Sequence, residues 1–405
     1  MSRFEHTIAQ VVPRLDAGGA ERTTLEIAGA VVRAGGRALV VSEGGRLAAD
    51  IERAGGEVIV APVASKNPLT IWRNGRFLAR LIEARGVGLI HARSRAPAWS
   101  ALMAARAAGV PFVTTYHGAY RAAGPVKRWY NSSMLRADRV IANSRFTAER
   151  IAADGYRDRD NLRIIPRGAD LDYFNPARVT DARIAALTAQ WGLARDEMPG
   201  GRAFRLLLPA RLTAWKGHEV AVEACALLQD NFAKSAGASG KAPGLTLVFC
   251  GGAQGRDAYV RTLRALIDER GVRDMIHFVG ECADMPAAYA WADAVLAPST
   301  RPEAFGRTAV EAGAMGRAVI AADHGGARET VIDGETGYLV RPADAAALAA
   351  AIGRLADAPL ETLSRMGRNG RARATSVYSS AAMCDATLRV YGELLEQGPA
   401  APEEA

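Results

Sequence analysis

The stretch Gly168-Ala-Asp-Leu-Asp-Tyr-Phe-Asn-Pro176 is where the pattern of this 405-residue chain breaks and then starts again. Before it, short strand-like runs alternate with Ala/Leu/Arg-rich stretches of helical period. The runs are Thr7–Val12, Ala38–Ser42, Val58–Val63, Gly88–Ala92, Phe112–Tyr116, Val140–Ala142 and Arg163–Pro166. The helical stretches include Ala20–Ala34, Ile71–Arg85, Ala98–Ala108 and Ser144–Ala153. The quoted segment carries Gly, Asp and Pro in neither pattern and reads as a connection. Beyond it the alternation resumes with strands at Phe204–Pro209, Leu245–Cys250, Ile276–Val279, Ala294–Pro298, Ala318–Ala322 and Tyr338–Val340. Strands separated by helices specify βαβ units and a parallel sheet. The expected fold is therefore α/β, with two Rossmann-like domains facing across a cleft and ligands at the carboxyl ends of the strands. Asp230–Gly244, rich in Ala, Gly, Ser and Lys, reads as a flexible surface insertion, and residues 398–405 as a disordered tail.

Composition narrows the function classes. An apolar fraction of 49% and a charged fraction of 23% belong to a globular chain. No apolar run reaches the roughly 18–20 residues of a membrane span, and the start lacks a secretory signal. Cys225, Cys250, Cys282 and Cys384 lack metal-site or disulfide-frame spacing, so reduced thiols in a cytoplasmic protein are expected. The net charge of +8 is unevenly placed: residues 1–176 hold 26 Lys+Arg and 16 Asp+Glu, a net of +10, and the remainder is −2. Residues 84–137 contain no acidic side chain but eight basic ones. Such a field suits an anionic partner, whether a phosphorylated substrate, a membrane surface or nucleic acid, or is simply a solvated face.

Four places carry chemistry. Gly18-Gly19 lies between the first strand and the first helix, where free N–H groups and the dipole suit a phosphate. The spacing is neither G-x-G-x-x-G nor a P-loop, and alone it is also an ordinary turn. Arg211 and Lys216 stand just past Phe204–Pro209, where two cations can offset a departing diphosphate, or can merely be exposed loop residues. Pro298-Ser-Thr-Arg-Pro-Glu303-Ala-Phe-Gly306-Arg-Thr-Ala-Val-Glu311 puts Glu303 in the loop after a strand and Glu311 on the helix that follows. Glu311 suits a ribose diol, or is merely a partly exposed helix glutamate; Glu303 suits sugar hydroxyls, and the first helical turn an anion. His117, in Thr115-Tyr-His-Gly118, ends a strand and can donate a hydrogen bond or move a proton; it can equally be structural, and His91 is similarly placed with less weight.

Taken together the chain resembles a family-4 glycosyltransferase of the GT-B fold. The resemblance is carried by Gly18-Gly-Ala-Glu21, Tyr116-His-Gly118, Ala142-Asn-Ser144, Ile165-Pro-Arg-Gly-Ala-Asp170, Ala210-Arg-Leu with Lys216-Gly217, Phe278-Val-Gly280, Asp293-Ala-Val-Leu with Pro298-Ser299, Glu303-Ala-Phe-Gly with Glu311, and Asp333-Gly-Glu-Thr-Gly-Tyr-Leu339, over about residues 5–395. It implies an acceptor-binding domain over residues 1–172, a nucleotide-sugar domain over 173–378, and a helix at 379–397 crossing back to the first domain. The implied nucleotide-sugar set is Gly18, Gly19, Arg211, Lys216, Gly252, Glu303, Phe305, Gly306, Arg307 and Glu311, with Glu303, His117, Arg211 and Lys216 at the reacting centre. Retention of configuration is implied, with no cofactor and no metal. Relatives often have Pro-Asn-Gly where this chain has Pro166-Arg167-Gly168, which adds a cation near the connection.

The expected function is transfer of a hexose from a GDP- or UDP-linked donor to a saccharide or lipid-linked acceptor, in lipopolysaccharide or other cell-envelope glycan synthesis. Tyr116, Tyr120, Trp129 and Tyr130 interleave with Arg121, Lys127 and Arg128, a mix that suits an anionic membrane surface. A cytoplasmic, peripheral location on the inner face follows from that reading. The alternatives are a nucleotide-sugar 2-epimerase and a basic nucleic-acid-binding protein; recognition motifs for nucleic acid are not apparent, and none is expected as a partner.

Overall fold

A computed structural model describes residues 4–16, 18–118, 124–153, 160–193, 197–198, 201–239 and 244–397. The chain forms two units, one reaching Arg167 and taken up again from Ser380, the other spanning Gly168–Ser379.

The first unit runs β1 (Thr7–Val11), α1 (Gly19–Arg33), β2 (Arg37–Ser42), α2 (Ala48–Arg53), β3 (Glu57–Val60), α3 (Pro68–Arg85), β4 (Val87–Ala92), α4 (Arg95–Ala108), β5 (Phe112–Tyr116), α5 (Pro125–Ser132), β6 (Arg139–Ala142), α6 (Arg145–Ala153) and β7 (Leu162–Ile164). The seven strands form one sheet in the order β3-β2-β1-β4-β5-β6-β7, all pairs parallel. Both faces are covered, which is why the strands read as nearly unbroken apolar runs. Ile8 of β1 enters the core on one face, Ala9 and Val11 the core on the other. Local signals set the helix ends. Asn67 accepts from the N–H groups of Leu69 (2.9 Å) and Thr70 (3.3 Å) ahead of Pro68, and Gly86 closes α3 in the left-handed conformation, φ +60°.

The second unit repeats the plan. It runs α7 (Asp181–Gln190), β8 (Glu197–Met198), β9 (Gly201–Arg202), β10 (Phe204–Pro209), α8 (His218–Ser239), β11 (Leu245–Cys250), α9 (Asp257–Glu269), β12 (Ile276–Gly280), α10 (Met285–Trp291), β13 (Ala294–Ala297), α11 (Arg307–Ala314), β14 (Ala318–Ala322), α12 (Ala327–Thr330), β15 (Gly337–Val340), α13 (Ala345–Ala356) and α14 (Leu360–Val377). Six parallel strands are ordered β12-β11-β10-β13-β14-β15. Leu206 and Leu208 of β10 face one core, Leu207 the other. In each unit the strand order reverses beside the first long strand, β1 or β10. Those are the topological switch points, where open α/β sheets leave a crevice at the strands' carboxyl ends.

The last helix, α15 (Ser380–Gln397), belongs to the first unit. Met383, Cys384, Val390, Tyr391 and Leu394 are buried in the same core as Ile8, Ile27 and Val40. Tyr391 OH meets His91 Nδ1 at 2.6 Å.

Three expectations are corrected or bounded. The connection beginning at Gly168 is built into the second unit, so the division falls after Arg167 and not at 172. The cause is packing: Ala169 and Phe174 are buried in that unit's core, and Asp170 Oδ1 accepts from the N–H groups of Asp172 and Tyr173 at 3.0 and 3.1 Å. Asp230–Gly244 is not a loop from its start, because α8 continues to Ser239, its Ala- and Lys-rich sequence being compatible with helix; residues 240–243 lie outside the described residues, as does the tail 398–405. Among the described residues no helix is long and apolar enough to cross a membrane.

Leu394→Ala is expected to lower the unfolding free energy by about 2–5 kcal/mol. Urea denaturation checks this, and an unchanged midpoint would mean that α15 does not complete the first unit's core.

Candidate functional site

In the second unit the site starts from backbone contacts. The loop after β10 closes at Gly217, φ +80°, where a Cβ would overlap the Pro298 carbonyl of the loop after β13. The Thr300 N–H donates to the Trp215 carbonyl at 2.8 Å and completes the junction. The two loops are thus joined across the switch point, and the join brings Lys216 Nζ to 2.8 Å from Glu303 Oε1. Lys216 Nζ also lies 4.5 Å from the centroid of the Trp215 ring. The Ser299 hydroxyl donates to the same Glu303 oxygen.

Glu303 is further held from behind by a residue run that the sequence reading did not single out, Asp323-His-Gly-Gly326 after β14. Gly325, φ +61°, approaches the Glu303 backbone so closely that a Cβ would stand 2.5 Å from its carbonyl oxygen. The Gly326 N–H donates to that carbonyl at 2.9 Å. A Cβ on Gly326 would overlap the Phe305 backbone. The His324 Nε2–H donates to the Ser299 carbonyl at 2.7 Å. The available signal was a strand end followed by Gly-Gly, the same signature that marked Gly18 and Gly19.

Burial opposes ionisation of Glu303, but the Lys216 charge and hydrogen bond, the Ser299 hydroxyl and the His324 ring outweigh it and hold the carboxyl below its usual range. It is a carboxylate near neutral pH, able to accept hydrogen bonds. Ser299, Glu303, Gly306, Thr308, His324 and Ala327 line a small recess beside it.

Gly306, φ +85°, precedes α11, so no side chain covers that helix's first N–H groups. The Phe305 side chain is buried against Tyr378, ring centroids 5.6 Å apart, which leaves only its backbone for a ligand. Glu311 is held at both oxygens: Arg307 Nε donates to Oε1 at 2.7 Å and the Tyr289 hydroxyl to Oε2 at 2.9 Å. Burial, and then the Glu311 charge, pushes the Tyr289 phenol well above its ordinary range, so it remains a donor. Each carboxylate oxygen keeps a further lone pair for a diol. Arg211 stands apart from this network, exposed, with Nη1 3.4 Å from Gln254 Oε1. Gly252 lies on the next loop, its carbonyl accepting from the Leu212 N–H at 3.2 Å; neighbouring Gly251 makes the tighter approach, where a Cβ would overlap the Ala210 carbonyl.

In the first unit, Gly18 and Gly19 open α1 as expected. A Cβ at Gly18 would overlap the Glu21 carboxylate, and one at Gly19 the Arg167 guanidinium. Arg167 Nη2 is hydrogen-bonded to His117 Nδ1. Burial, and then the charges of Arg167, Arg93 and His91, holds the His117 imidazole well below its usual pKa. His91, the lesser candidate, is a buried histidine satisfied at both nitrogens by Tyr391 and by Thr115 Oγ1, the latter at 2.7 Å. Arg93, not singled out before, is 2% exposed and donates to Gln10 Oε1 through Nε (2.9 Å) and Nη2 (2.5 Å). Tyr120 and Arg121 lie outside the described residues.

With the geometry in place, the similarities to known proteins are specific. The family model described as Glycosyltransferase Family 4 matches residues 17–173, and the one described as Glycosyl transferases group 1 matches residues 199–373. A D-inositol 3-phosphate glycosyltransferase of Xylanimonas cellulosilytica is 33% identical over 268 residues, 65% of this chain and 59% of that protein. The chain therefore spans less than two thirds of that relative's length. Among solved structures, a glycosyltransferase from Rickettsia africae matches with a TM-score of 0.86 and 31% identity, covering 97% of this chain and 100% of that one. Anabaena HepE, solved with UDP and glucose, matches with a TM-score of 0.81 and 25% identity, over 96% and 100% of the two chains.

The Glu303 environment yields a pH prediction. A carboxyl whose folded pKa is depressed contributes stability above its unfolded pKa and loses it as pH falls through the folded one. Lys216→Met removes the main stabiliser of the carboxylate. The variant's deficit in Tm is expected to be largest near pH 7 and to shrink as pH approaches about 4. Thermal melts of both proteins at the two pH values check it; a deficit independent of pH would contradict the assignment.

Proposed function

Because the chain belongs to glycosyltransferase family 4, on the two-domain α/β fold called GT-B, we propose that it moves a hexose from a nucleotide diphosphate sugar to a saccharide or lipid-linked acceptor with retention of configuration. The observation that carries this reading is the Lys216–Glu303 pair at the switch point, 2.8 Å apart and beside the bare N-terminus of α11. A cation and a sugar-directed carboxylate side by side suit the bond between a diphosphate and a sugar. HepE, of the same fold, has been solved with UDP-glucose as well.

In this reading the second unit holds the donor. Lys216, Arg211 and the first N–H groups of α11 take the diphosphate and offset the charge that grows on it as the anomeric bond breaks. Glu303 accepts hydrogen bonds from hydroxyls of the transferred sugar and positions it. Glu311, set by Arg307 and Tyr289, takes the ribose diol. The sugar passes through an oxocarbenium-like state, and the acceptor hydroxyl enters on the face the phosphate leaves, giving its proton to that phosphate. The first unit supplies the acceptor site, with His117 near the reacting carbon and Gly18-Gly19 over the phosphates. Lys216→Ala is expected to lower kcat by about 100-fold or more with the fold retained, and Arg211→Ala to act mainly through donor KM. Steady-state kinetics with UDP- and GDP-hexoses, alongside circular dichroism, check both. Near-wild-type rates in both variants would sink the donor-site assignment.

The acceptor side of the proposal is a lipid-linked envelope glycan reached at the cytoplasmic leaflet. Support comes from α3, α4 and α5. Trp99 stacks on Trp129 with ring centroids 4.6 Å apart, and Ser100 Oγ donates to the Ile71 carbonyl at 3.0 Å, so the three helices adjoin. They display Trp129 (59% exposed) and Val126 (78%), with Trp72 and Leu69, beside exposed Lys127, Arg128, Arg76 and Arg106. Apolar tips ringed by cations suit an anionic interface. The protein is expected to float with phosphatidylglycerol vesicles at low salt and to be released by high salt or by Trp129→Glu/Val126→Glu. Absence of flotation at low salt would reject the membrane reading and leave a soluble phosphorylated acceptor.

A further inference from the structure

We propose that Arg167 is a positioning residue that holds His117 as a neutral imidazole with its proton on Nε2, presented as a hydrogen-bond donor. The proposal rests on the reading above that His117 faces the reacting sugar, and says which proton form it brings there.

The geometry leaves one assignment. A guanidinium is a donor at every nitrogen and accepts nowhere. The His117 Nδ1 that meets Arg167 Nη2 must therefore offer its lone pair, and the ring proton must sit on Nε2. Nε2 itself is buried and has no partner among the described residues. It is a donor held without an acceptor of its own.

The position of Arg167 is itself fixed. Its guanidinium occupies the space above Gly19 that any side chain there would fill. Three separate elements thus meet at His117: β5, which ends just before it; the first turn of α1; and the segment that follows β7.

The groups facing His117 resist a second proton. Arg167 lies against it; Arg93 and His91, at and just past the end of β4, add to the opposition, as does burial. The acidic side chain on the adjoining turn of α1 is Glu21, whose carboxylate packs over Gly18. A doubly protonated His117 would also set an N–H against the Arg167 N–H. The ring therefore acts neither as a base through Nδ1 nor as a cation, and serves as a fixed donor to an oxygen of the sugar or phosphate. An asparagine at position 167, the residue often found in relatives, lacks the reach and the charge of arginine.

The test uses the full chain with 15N-labelled histidine. The His117 resonances are identified by their loss in His117→Gln. In the wild type, Nδ1 is expected to keep a pyridine-like shift and Nε2 a pyrrole-like one from about pH 5.5 to 8. In Arg167→Met the ring is expected to mix tautomers and to titrate in that range. The wild-type kcat should be flat there, whereas the kcat of Arg167→Met should become pH-dependent across the ordinary histidine pKa of roughly 6.5, with Arg167→Lys restoring most of the flat profile. A wild-type His117 that titrates normally or carries its proton on Nδ1, or an Arg167→Met ring indistinguishable from wild type, would overturn the proposal. If instead the resonances behave as expected but His117→Ala transfers sugar at the wild-type rate, it is the placement of His117 at the reacting centre that fails, and Arg167 with it as a residue of the reaction.

Discussion

The second unit's site depends on backbone meeting backbone where no side chain intervenes. Gly217 against Pro298, Gly325 against Glu303 and Gly326 against Phe305 bring the loops after β10, β13 and β14 into direct contact. A Cβ at any of these places would force the loops apart. Lys216 would then lose its carboxylate, and Glu303 would be left with its burial, which favours the neutral form. The chemistry of the site is thus set by residues that have no functional group.

Both units put their candidate site residues at the same place in the same plan. Each sheet reverses strand order beside β1 or β10, and the loops flanking that reversal carry Gly18-Gly19 in one unit and Arg211 to Gly217 in the other. They differ in how charge is handled. In the second unit the key cation and anion neutralise each other across 2.8 Å. In the first, Arg93 donates to the Gln10 amide oxygen with the Glu26 charge also acting on it, and Arg167 meets an imidazole lone pair.

Much of this was legible in the sequence, for physical reasons. Strands buried on both faces of a parallel sheet are short β-branched runs, and all thirteen strands of the two large sheets fall on such runs, with ends within a few residues. Lys216, Glu303, Glu311 and His117 stand out as candidates because each lies just past a strand's carboxyl end or on the helix that follows it. Their partners do not. The pairing of Lys216 with Glu303, and of Glu311 with Tyr289, joins distant parts of the chain that no local pattern connects. His324 and the glycines after it were overlooked because a Gly pair after a strand is common. Phe305 enters the expected set through its backbone, and that its ring packs on Tyr378 is likewise a tertiary fact. Arg167 stood out only as a departure from a pattern; where its guanidinium goes is a tertiary fact.

The placement of α15 has a consequence for how the molecule comes into being. The core holding Ile8, Ile27 and Val40 is closed by Tyr391 and Leu394. During synthesis the strands of the first unit emerge early, but the side chains that seal one face of their sheet are made only after the whole second unit. The second unit, continuous in sequence, can fold as it emerges, whereas the first must keep an apolar face waiting. The part of the protein made first is finished last, and a ribosome stalled beyond Ser379 but short of Tyr391 would display an open core to chaperones and to other nascent chains.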